Sequence, residues 1–507
     1  MLMHTLKFPI RTGRRKEKVL AKLFSAMTKC HNVIVKECKK RLRMLRRDKG
    51  YKELLEAYRT ASEADKKSIV KALNSRIAYY GLTEASVQSY IKVWQKRYKH
   101  LVSSHQAQEE ASRVYAGVEK VLYGKGEDVH FRKCQGMLTV ASKSWNGVQY
   151  LDPLHTGYYK KTVKPVYPQE IYLLGEHFEV KADWDDPYVR QSLSGDIKYV
   201  QASREMFPSG WRYYVILYIG GDAPLKHTSA AGTAGIDPGI STEAVVFDDE
   251  CVLAELAPKC KDYNKRISMK ARQAERSLRL ANPDNYDADG RLKKGKHAWV
   301  ITKSCSRRKR ELKSLYRKKA AYTKQSHEEL ANALVEKADI FLAEAMDWKA
   351  LQKRSKQPAQ RQEKASYVVG RDGSVKTVRK FKKKKRFGAS IRDRAPSQFL
   401  TILRRKCARQ GGRLITIDTK TVKASQYEHD TGTYRKVPLS RRMKDVGGHR
   451  VQRDLYSGFI IKHVAEDNKT VDREACIRDF EAFLKAQDKC ISGIKASGNT
   501  YPACFGL

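Results

Sequence analysis

The chain contains 507 residues, of which 102 are Lys or Arg and 56 are Asp or Glu, giving a formal net charge of +46. Apolar residues make up 41% of the chain, which is enough to bury large cores and excludes an intrinsically disordered basic protein. No apolar run reaches the ~18 residues that a membrane helix needs, and the short apolar N-terminus runs directly into Arg11. We therefore expect a cytosolic protein without a signal peptide.

A positive excess of this size requires a polyanionic partner. A nucleic-acid duplex of ~20 base pairs carries roughly 40 phosphates, which is the same scale as the excess. Membrane surfaces usually attract one basic amphipathic helix rather than a charge spread over hundreds of residues. The composition therefore predicts a nucleic-acid partner and no membrane.

The first 221 residues divide into three predicted parts. Residues 1–10 alternate weakly between apolar and polar side chains and favour a strand. Residues 14–123 contain no Pro and show apolar residues at helical spacing, as in the segment 84–98, where Thr83 is the expected N-cap. Residues 124–221 become strand-like, most clearly at 211–219, and predict a small β-domain that the N-terminal strand could join.

From residue 233 onward, strands and helices alternate, which predicts an α/β domain. The predicted elements in this half are the strands 234–237, 244–247, 340–343 and 414–417 and the helices 304–337 and 453–464, with a turn-rich loop at 282–295.

The positive charge is concentrated in two stretches of this half. Residues 265–324 contain 20 basic and 5 acidic residues, a net of +15, and residues 353–394 contain 16 and 3, a net of +13. Residues 465–507 contain 6 and 7, a net of −1. Basicity therefore follows particular surfaces, as polyanion binding requires.

Three acids stand apart from the many that serve as simple counter-charges. Asp237 follows a short apolar strand in the sequence GIDPG, Glu344 ends a second strand, and Asp454 opens an amphipathic helix. Carboxylates at the ends of neighbouring strands can converge with one from a packed helix, and together they would repel unless divalent cations held them. Two Mg²⁺ ions in such a site can activate water for phosphodiester hydrolysis, so we predict a nuclease.

Each acid also has a simpler interpretation. An Asp-Pro-Gly sequence after a strand is more often a turn, Glu344 alone could form a strand-end salt bridge, and Asp454 could complement a helix dipole. Asp347, three residues past Glu344, is a competing candidate, but it lies beyond the predicted strand end. The ordered triplet in a strongly basic chain favours the nuclease interpretation.

The three segments GIDPG, IFLAEAMDWKAL and VQRDLYSGF resemble the split motifs of a RuvC-type nuclease domain. Their order and spacing are similar to those of the TnpB transposon nucleases and of the miniature type V CRISPR effectors. The segments ASRVYAGVEKVLYGKGEDVHFRK, RFGASIRDRAPSQFLTIL and SQYEHDTGTY look closer to the CRISPR-associated group, and the chain length favours the same group.

This resemblance implies a multidomain α+β protein with a helical recognition domain, a β-barrel-like wedge domain and an RNase H-like (RuvC) α/β nuclease domain. The implied boundaries are 1–13 and 124–225 for the wedge, 14–123 for the recognition domain, 230–418 and 450–490 for the nuclease, 419–449 for a target-nucleic-acid-binding insert and 491–507 for a C-terminal tail.

The resemblance also implies an RNA-guided DNA endonuclease of prokaryotic cytoplasm. Its partners would be a guide RNA and a double-stranded target DNA with a short flanking motif, and two copies could share one guide RNA. Asp237, Glu344 and Asp454 would be both catalytic residues and ligands of two Mg²⁺ ions, with Mn²⁺ as the alternative cation.

The sequence departs from the family at one place. Members often carry a four-cysteine zinc ribbon between the second and third motifs, but residues 419–449 contain no Cys. The ten cysteines of the chain include no Cys-x-x-Cys pair, so we expect reduced thiols and no zinc site.

Two basic segments are candidates for phosphate contact. The predicted nucleic-acid-binding residues are Arg307, Arg308, Arg310 and Arg317 on one helix and Lys380, Lys382, Lys383, Lys384, Lys385 and Arg386 in the run KTVRKFKKKKR. Like charges so dense destabilise a helix unless a polyanion lies against them. The alternative for the run is a solvated loop or a localisation-type signal.

Three other functions remain open at this point. A transposon-encoded TnpB would use the same chemistry with an RNA from its element's end. A guided DNA-binding protein without cleavage would keep the charge but not use the acids. An unguided RNA-binding structural protein would leave the three acids without a role.

Overall fold

The computed structural model describes residues 3–133, 136–141, 149–150, 170–173, 176–225, 228–352, 360–369, 375–381, 387–438, 440–498 and 500–507. The chain divides into two compact units, residues 1–224 and residues 225–507. Both contain helices and sheets, so the predicted mixed α+β class is confirmed. Within the described part of the chain, no helix has the length and apolarity that a membrane crossing requires.

The first unit contains a run of five helices between its first strand and its remaining strands. Its elements are β1 (Met3–Pro9), α1 (Arg14–Arg47), α2 (Lys49–Thr60), α3 (Glu63–Tyr79), α4 (Glu84–Arg97), α5 (Ser104–Leu122), β2 (Thr139–Ala141), β3 (Gln149–Tyr150), β4 (Glu170–Leu173), β5 (Glu176–Glu179), α6 (Pro187–Leu193), β6 (Ile197–Phe207) and β7 (Gly210–Gly220).

The main sheet of this unit has the order β1-β7-β6-β2, and its strands are antiparallel. Strand β1 alternates strictly between exposed and buried residues, so Leu6 and Phe8 point to one face beside Val215 and Leu217 of β7. The apolar face of α1, including Phe24, belongs to the same core. The N-terminal strand and the long helix are therefore joined to the β-rich part by one hydrophobic core.

Side-chain caps fix where the helices of this unit begin. Thr83 accepts a hydrogen bond from the backbone N–H of Ser86 at the start of α4, as its place in the sequence predicts. Ser103 and Gln106 form a reciprocal capping box at the start of α5.

The second unit is built around a five-stranded sheet. Its elements are β8 (Thr233–Pro238), β9 (Thr242–Val246), β10 (Cys251–Glu255), α7 (Cys260–Leu280), α8 (Lys303–Val335), β11 (Ile340–Glu344), α9 (Trp348–Gln352), β12 (Gln360–Val369), β13 (Val375–Phe381), α10 (Gly388–Arg394), α11 (Pro396–Arg409), β14 (Arg413–Ile417), α12 (Thr419–Val422), β15 (Tyr427–Glu428), β16 (Thr433–Tyr434), β17 (Met443–Val446), β18 (His449–Gln452), α13 (Arg453–Lys462) and α14 (Arg473–Ala496).

This sheet has the order β10-β9-β8-β11-β14. Strands β10, β9 and β8 form an antiparallel meander, and β11 and β14 then continue parallel to β8. Because β8 and β11 are parallel neighbours, their carboxyl ends meet at one edge of the sheet.

The two faces of the sheet are covered by different helices. On one face, Ala244 and Leu342 pack with Leu455 and Phe459 of α13. On the other face, Ile236 and Phe341 pack with α8 and α11, whose contributions include Leu334 and Phe399. Residues adjacent along a strand belong to opposite cores, as the alternation of a strand requires.

Residues 419–449, predicted as an insert, contribute directly to one of these cores. Val422, Tyr427 and Val446 pack with Tyr456 of α13. The side chain of Lys444 is fully buried there, donates to the Tyr427 carbonyl at 3.2 Å and lies 4.6 Å from the centre of the Tyr456 ring. The segment is therefore anchored by apolar side chains and by one buried, hydrogen-bonded lysine.

Candidate active site

The first two predicted acids lie side by side at the sheet edge. The register pairs Ala343 of β11 with Ile236 of β8, so the next residues on these parallel strands are Glu344 and Asp237. Ile236 faces the core of α8 and α11, and alternation therefore turns Asp237 toward the face that α13 covers. The structure thus brings both strand-end carboxylates to the same face of the sheet.

Two glycines allow α13 to approach this face closely. A Cβ atom added to Gly235 would lie 2.0 Å from the carbonyl oxygen of Gly458 and 2.4 Å from the backbone nitrogen of Lys462. A Cβ on Gly458 would meet Val246 at 3.2 Å. The backbones of β8 and α13 therefore touch, and Asp454, one turn before Gly458, is held above the strand ends.

The start of α13 is fixed by contacts to the C-terminal residues. Gln452 is the N-cap, and its side-chain oxygen accepts from the Leu455 N–H at 2.7 Å. Its own backbone N–H donates to Gln487 of α14 at 2.7 Å, and its amide nitrogen donates to the Phe505 carbonyl at 3.2 Å. Buried and bonded on all sides, Gln452 sets the position at which Asp454 enters the site.

Burial raises the pKa of both strand-end acids. Burial, followed by the negative charges of Asp454 and Glu344, raises the pKa of Asp237 well above its usual value. Burial raises the pKa of Glu344 to about 7. Carboxylates that are hard to ionise together attract either protons or cations, and oxygen ligands of this kind suit Mg²⁺.

The carboxylate of Asp454 forms ion pairs with two arginines. Its Oδ1 accepts from Nη2 of Arg453 at 2.6 Å and from Nε at 3.1 Å, and its Oδ2 accepts from Nη1 of Arg442 at 3.3 Å. Within the described residues, no three His, Cys, Asp or Glu side chains form a group that could hold a metal ion. The residue types fit Mg²⁺, and a cation could bind Asp454 only when at least one of the two guanidinium groups leaves its carboxylate.

A fourth acid, Glu243, was not identified from the sequence. It lies on β9 opposite Pro238, so it points away from α13, and it is fully buried with both carboxylate oxygens unpartnered. Burial, followed by the charge of Asp237, raises its pKa well above the usual value. The neutral form is therefore favoured, and the segment STEAVV gives no sequence signal for it beyond an acid within an apolar strand.

Asp347, the competitor of Glu344, has a different role in the structure. It is exposed, and its side chain accepts from the Ala350 N–H at 3.0 Å at the start of α9. It therefore caps a short helix, and the sequence-based preference for Glu344 agrees with the placement of both residues.

The four predicted arginines of α8 do not all line the same cleft. Arg307 and Arg308 line a cleft of about 440 Å³ between α7 and α8, together with Lys270 and Arg276. Arg308 also donates to the Gln273 carbonyl at 3.1 Å. Arg310 and Arg317 lie on the same helix but do not line this cleft.

The second basic segment lies largely outside the described residues. Lys380 is in β13, where only the backbone is described, and Lys382, Lys383, Lys384, Lys385 and Arg386 fall outside the described ranges. Their contact with nucleic acid remains a prediction.

Comparison with known proteins yields matches in structure only. No protein-family model matches the chain, and no curated protein matches it. A cryo-EM structure of a Cas12f1–sgRNA–target DNA complex aligns with a TM-score of 0.48 at 10% identity, covering 91% of this chain and 98% of that one.

Two further solved structures show the same kind of similarity. A CRISPR-Cas12f ternary complex has a TM-score of 0.28 at 11% identity, covering 88% and 82% of the two chains. A Cas12i–crRNA–dsDNA complex has a TM-score of 0.23 at 9% identity, covering 94% and 64%. The neighbours in structure therefore belong to the CRISPR effectors that the sequence resembles, and the argument for function rests on the residues of this chain.

Proposed function

We propose that the chain is an RNA-guided DNA endonuclease of a CRISPR system, hydrolysing phosphodiester bonds at a single RuvC-like site with two divalent cations. The observation that carries this proposal is the meeting of Asp237 and Glu344 at the ends of parallel strands, beneath a helix that supplies Asp454. Asp237 and Glu344 are buried side by side and are costly to ionise there, and a divalent cation would relieve that cost.

The roles of the residues follow from their positions. Asp237, Glu344 and Asp454 would hold two Mg²⁺ or Mn²⁺ ions, whose chemistry would be to lower the pKa of a bound water and to stabilise negative charge on the leaving oxygen. Asp237 and Glu344, whose raised pKa values favour protons, would ionise as positive charge arrives. Arg442 and Arg453 would release Asp454 and remain within reach of substrate phosphates.

The charge distribution supports a guide and its target as partners. The chain carries a net charge of +46, and α7 and α8 place Lys270, Arg276, Arg307 and Arg308 around one cleft. In this proposal the protein grips backbone phosphates, base pairing supplies the sequence specificity, and the first unit provides the wedge and recognition domains that read the flanking motif. Two copies on one guide RNA and a cytoplasmic location belong to the same proposal.

One observation favours a second candidate, a guided DNA-binding protein without cleavage. Both oxygens of Asp454 are paired with arginine, and an acid held permanently in this way could not bind a cation. The two candidates differ only in whether the arginines release Asp454.

The deciding experiment uses the chain purified with its own RNA. The copurifying RNA is sequenced, which separates repeat-derived guides from RNA of a transposon end, and matched duplex DNA is then added with Mg²⁺. We expect cleavage by the wild type and its loss in Asp237→Ala and Glu344→Gln. Asp347→Asn is the matched control and should cut normally, since Asp347 is exposed and caps α9. Equal, absent cutting by all four proteins would support the non-cleaving candidate.

A further inference from the structure

The first unit contains a cleft that the nuclease proposal does not use. It has a volume of about 1090 Å³ and is formed where the β1–α1 connection, the first turn of α1, the residues around the end of β5 and strand β7 meet. Its lining includes five cationic residues, Arg11, Arg15, Lys16, Lys181 and Arg212, but only two acids, Glu17 and Glu179. A cleft with this excess of positive charge is suited to an anion.

The two arginine ion pairs at the cleft are open to solvent on the arginine side. Arg11 contacts Glu179 at 3.1 Å, and the two side chains are 61% and 48% exposed. Arg15 contacts Glu176 at 2.8 Å and is itself 80% exposed. Pairs this open to solvent contribute little to stability and exchange partners easily, so incoming phosphates can replace the carboxylates.

The backbone at the start of α1 adds N–H hydrogen-bond donors to the wall of the cleft. Helix α1 is 34 residues long, and its N-cap, Gly13, has no side chain to bond to the first N–H groups. Thr12 does not replace it, because its hydroxyl donates to Glu17 at 3.3 Å. The cleft therefore receives the positive end of a long helix together with the cationic side chains.

The remaining surface of the cleft is aromatic and rigid. Trp211 lines it, and the guanidinium of Arg204 covers one face of the indole at 4.1 Å from the ring centre. Arg204 is itself buried, donates to the Met137 carbonyl at 2.9 Å and lies 4.5 Å from the Phe24 ring. The indole is thus held on one face by Arg204, and it remains partly exposed where it lines the cleft.

From these features, we infer that the cleft binds unpaired nucleotides of a single-stranded nucleic acid, with phosphates on the cations and the helix terminus and a base stacked on Trp211. Clefts of this size accept small organic groups, and a base becomes available for stacking only when it is unpaired. This inference is independent of the nuclease chemistry, since the cleft and all of the predicted acids lie in different units.

The first test maps the contact without any substitution. Single-stranded RNA and DNA oligonucleotides carrying a photoactivatable thiopyrimidine are cross-linked to the full chain, and the attached peptides are identified by mass spectrometry. We expect cross-links in the peptide containing Trp211 with one or both strands, and the relative yield distinguishes RNA from DNA. Cross-links confined to peptides outside the cleft would overturn the inference.

The second test measures affinity by fluorescence anisotropy. Trp211→Leu should weaken single-strand binding by about 5- to 150-fold, the range for stacking one base on an aromatic ring, and should change duplex binding little. Trp211→Phe keeps a stacking surface and should recover most of the affinity. Trp94→Leu is the matched control, because Trp94 stacks on Tyr98 in α4, outside the cleft.

A charge variant tests the phosphate contacts separately. Lys181→Gln should lower the slope of log affinity against log salt concentration by about 0.7 for single strands. Lys198→Gln, whose lysine pairs with Asp196 at 3.1 Å on the same sheet, should leave the slope unchanged. The inference is refuted if Lys181→Gln and Lys198→Gln show equal salt slopes. It is also refuted if Trp211→Leu loses single-strand and duplex affinity equally, even where cleavage is normal. Absent cleavage with these expected results would refute only the nuclease proposal.

Discussion

The contact between Arg442 and Asp454 gives the sharpest prediction about the proposed cation site. Nη1 of Arg442 donates to Oδ2 of Asp454 at 3.3 Å, while Arg453 bonds the other oxygen. A cation that binds Asp454 must displace at least one of these groups. Arg442→Gln removes one positive charge from the site and leaves Arg453 in place, so we expect Mn²⁺ to bind more tightly.

The size of this effect follows from the geometry. Hydrogen bonds to charged groups contribute roughly 1.5–3 kcal/mol. The Arg442 contact should contribute less than this range, because it is long and the arginine side chain is 29% exposed. We therefore expect about 1 kcal/mol, which corresponds to a roughly fivefold gain in affinity, since about 1.4 kcal/mol is tenfold.

The measurement is a Mn²⁺ titration followed by electron paramagnetic resonance, which reports binding without requiring cleavage. Arg441→Gln is the matched control, because Arg441 is adjacent in sequence but pairs with Asp445 at 3.0 Å, away from Asp454. If Arg442→Gln binds Mn²⁺ no more tightly than Arg441→Gln, or more weakly than the wild type, then a cation does not displace Arg442 from Asp454.

Three further predictions concern the architecture of the site. Gly235→Ala places a Cβ against backbone atoms at 2.0 and 2.4 Å and should lower the free energy of unfolding by at least ~1–3 kcal/mol in urea titrations. Gly493→Ala meets open space in α14 and should instead stabilise by up to ~1 kcal/mol, so equal effects would contradict the close packing of β8 on α13. The raised pKa of Glu344, about 7 against 4.5, means that the folded protein binds the extra proton. Without divalent cations, melting temperature should fall as pH rises from about 4.5 to about 7, and Glu344→Gln should weaken that dependence but not abolish it, because the pKa values of Asp237 and Glu243 are raised as well. Glu243→Gln should leave stability and cleavage unchanged near neutral pH, because burial raises the pKa of this carboxyl and favours its neutral form, which Gln resembles; a large loss in either assay would indicate an ionised group.

Local sequence signals were sufficient for several elements. The segment 84–98 with Thr83 before it became α4, and the β-branched and aromatic run 211–219 became β7. One of the two partners of β7 was missed, because β6 has the sequence IKYVQASREMF, in which polar residues interrupt the apolar alternation. Strand β6 is specified by pairing with β7 rather than by its own composition.

Contacts near the C-terminus were also not predictable from the local sequence. Helix α14 runs through residue 490, where the nuclease domain was predicted to end, to Ala496. Its role depends on Gln487, which bonds the N-cap of α13 across 35 positions of sequence. No local pattern reports a contact of this kind.

The positions of the two strand-end acids were predictable from the sequence, but the contacts of Asp454 were not. Asp237 and Glu344 could be recognised because each follows an apolar strand, and parallel pairing then brings them together. The pairing of Asp454 with Arg442 was not predictable, because it depends on how β17 and its preceding residues fold back onto α13.

The bond from Gln452 to Phe505 has a practical consequence for protein engineering. Gly506 lies so close to Arg442 that a Cβ added to it would be 2.2 Å from the arginine's own Cβ. A side chain introduced at residue 506 would therefore strain the same few residues that set the start of α13 and the arginine facing Asp454. Residue 506 is thus a position from which the carboxylate of Asp454 can be disturbed without altering any acid.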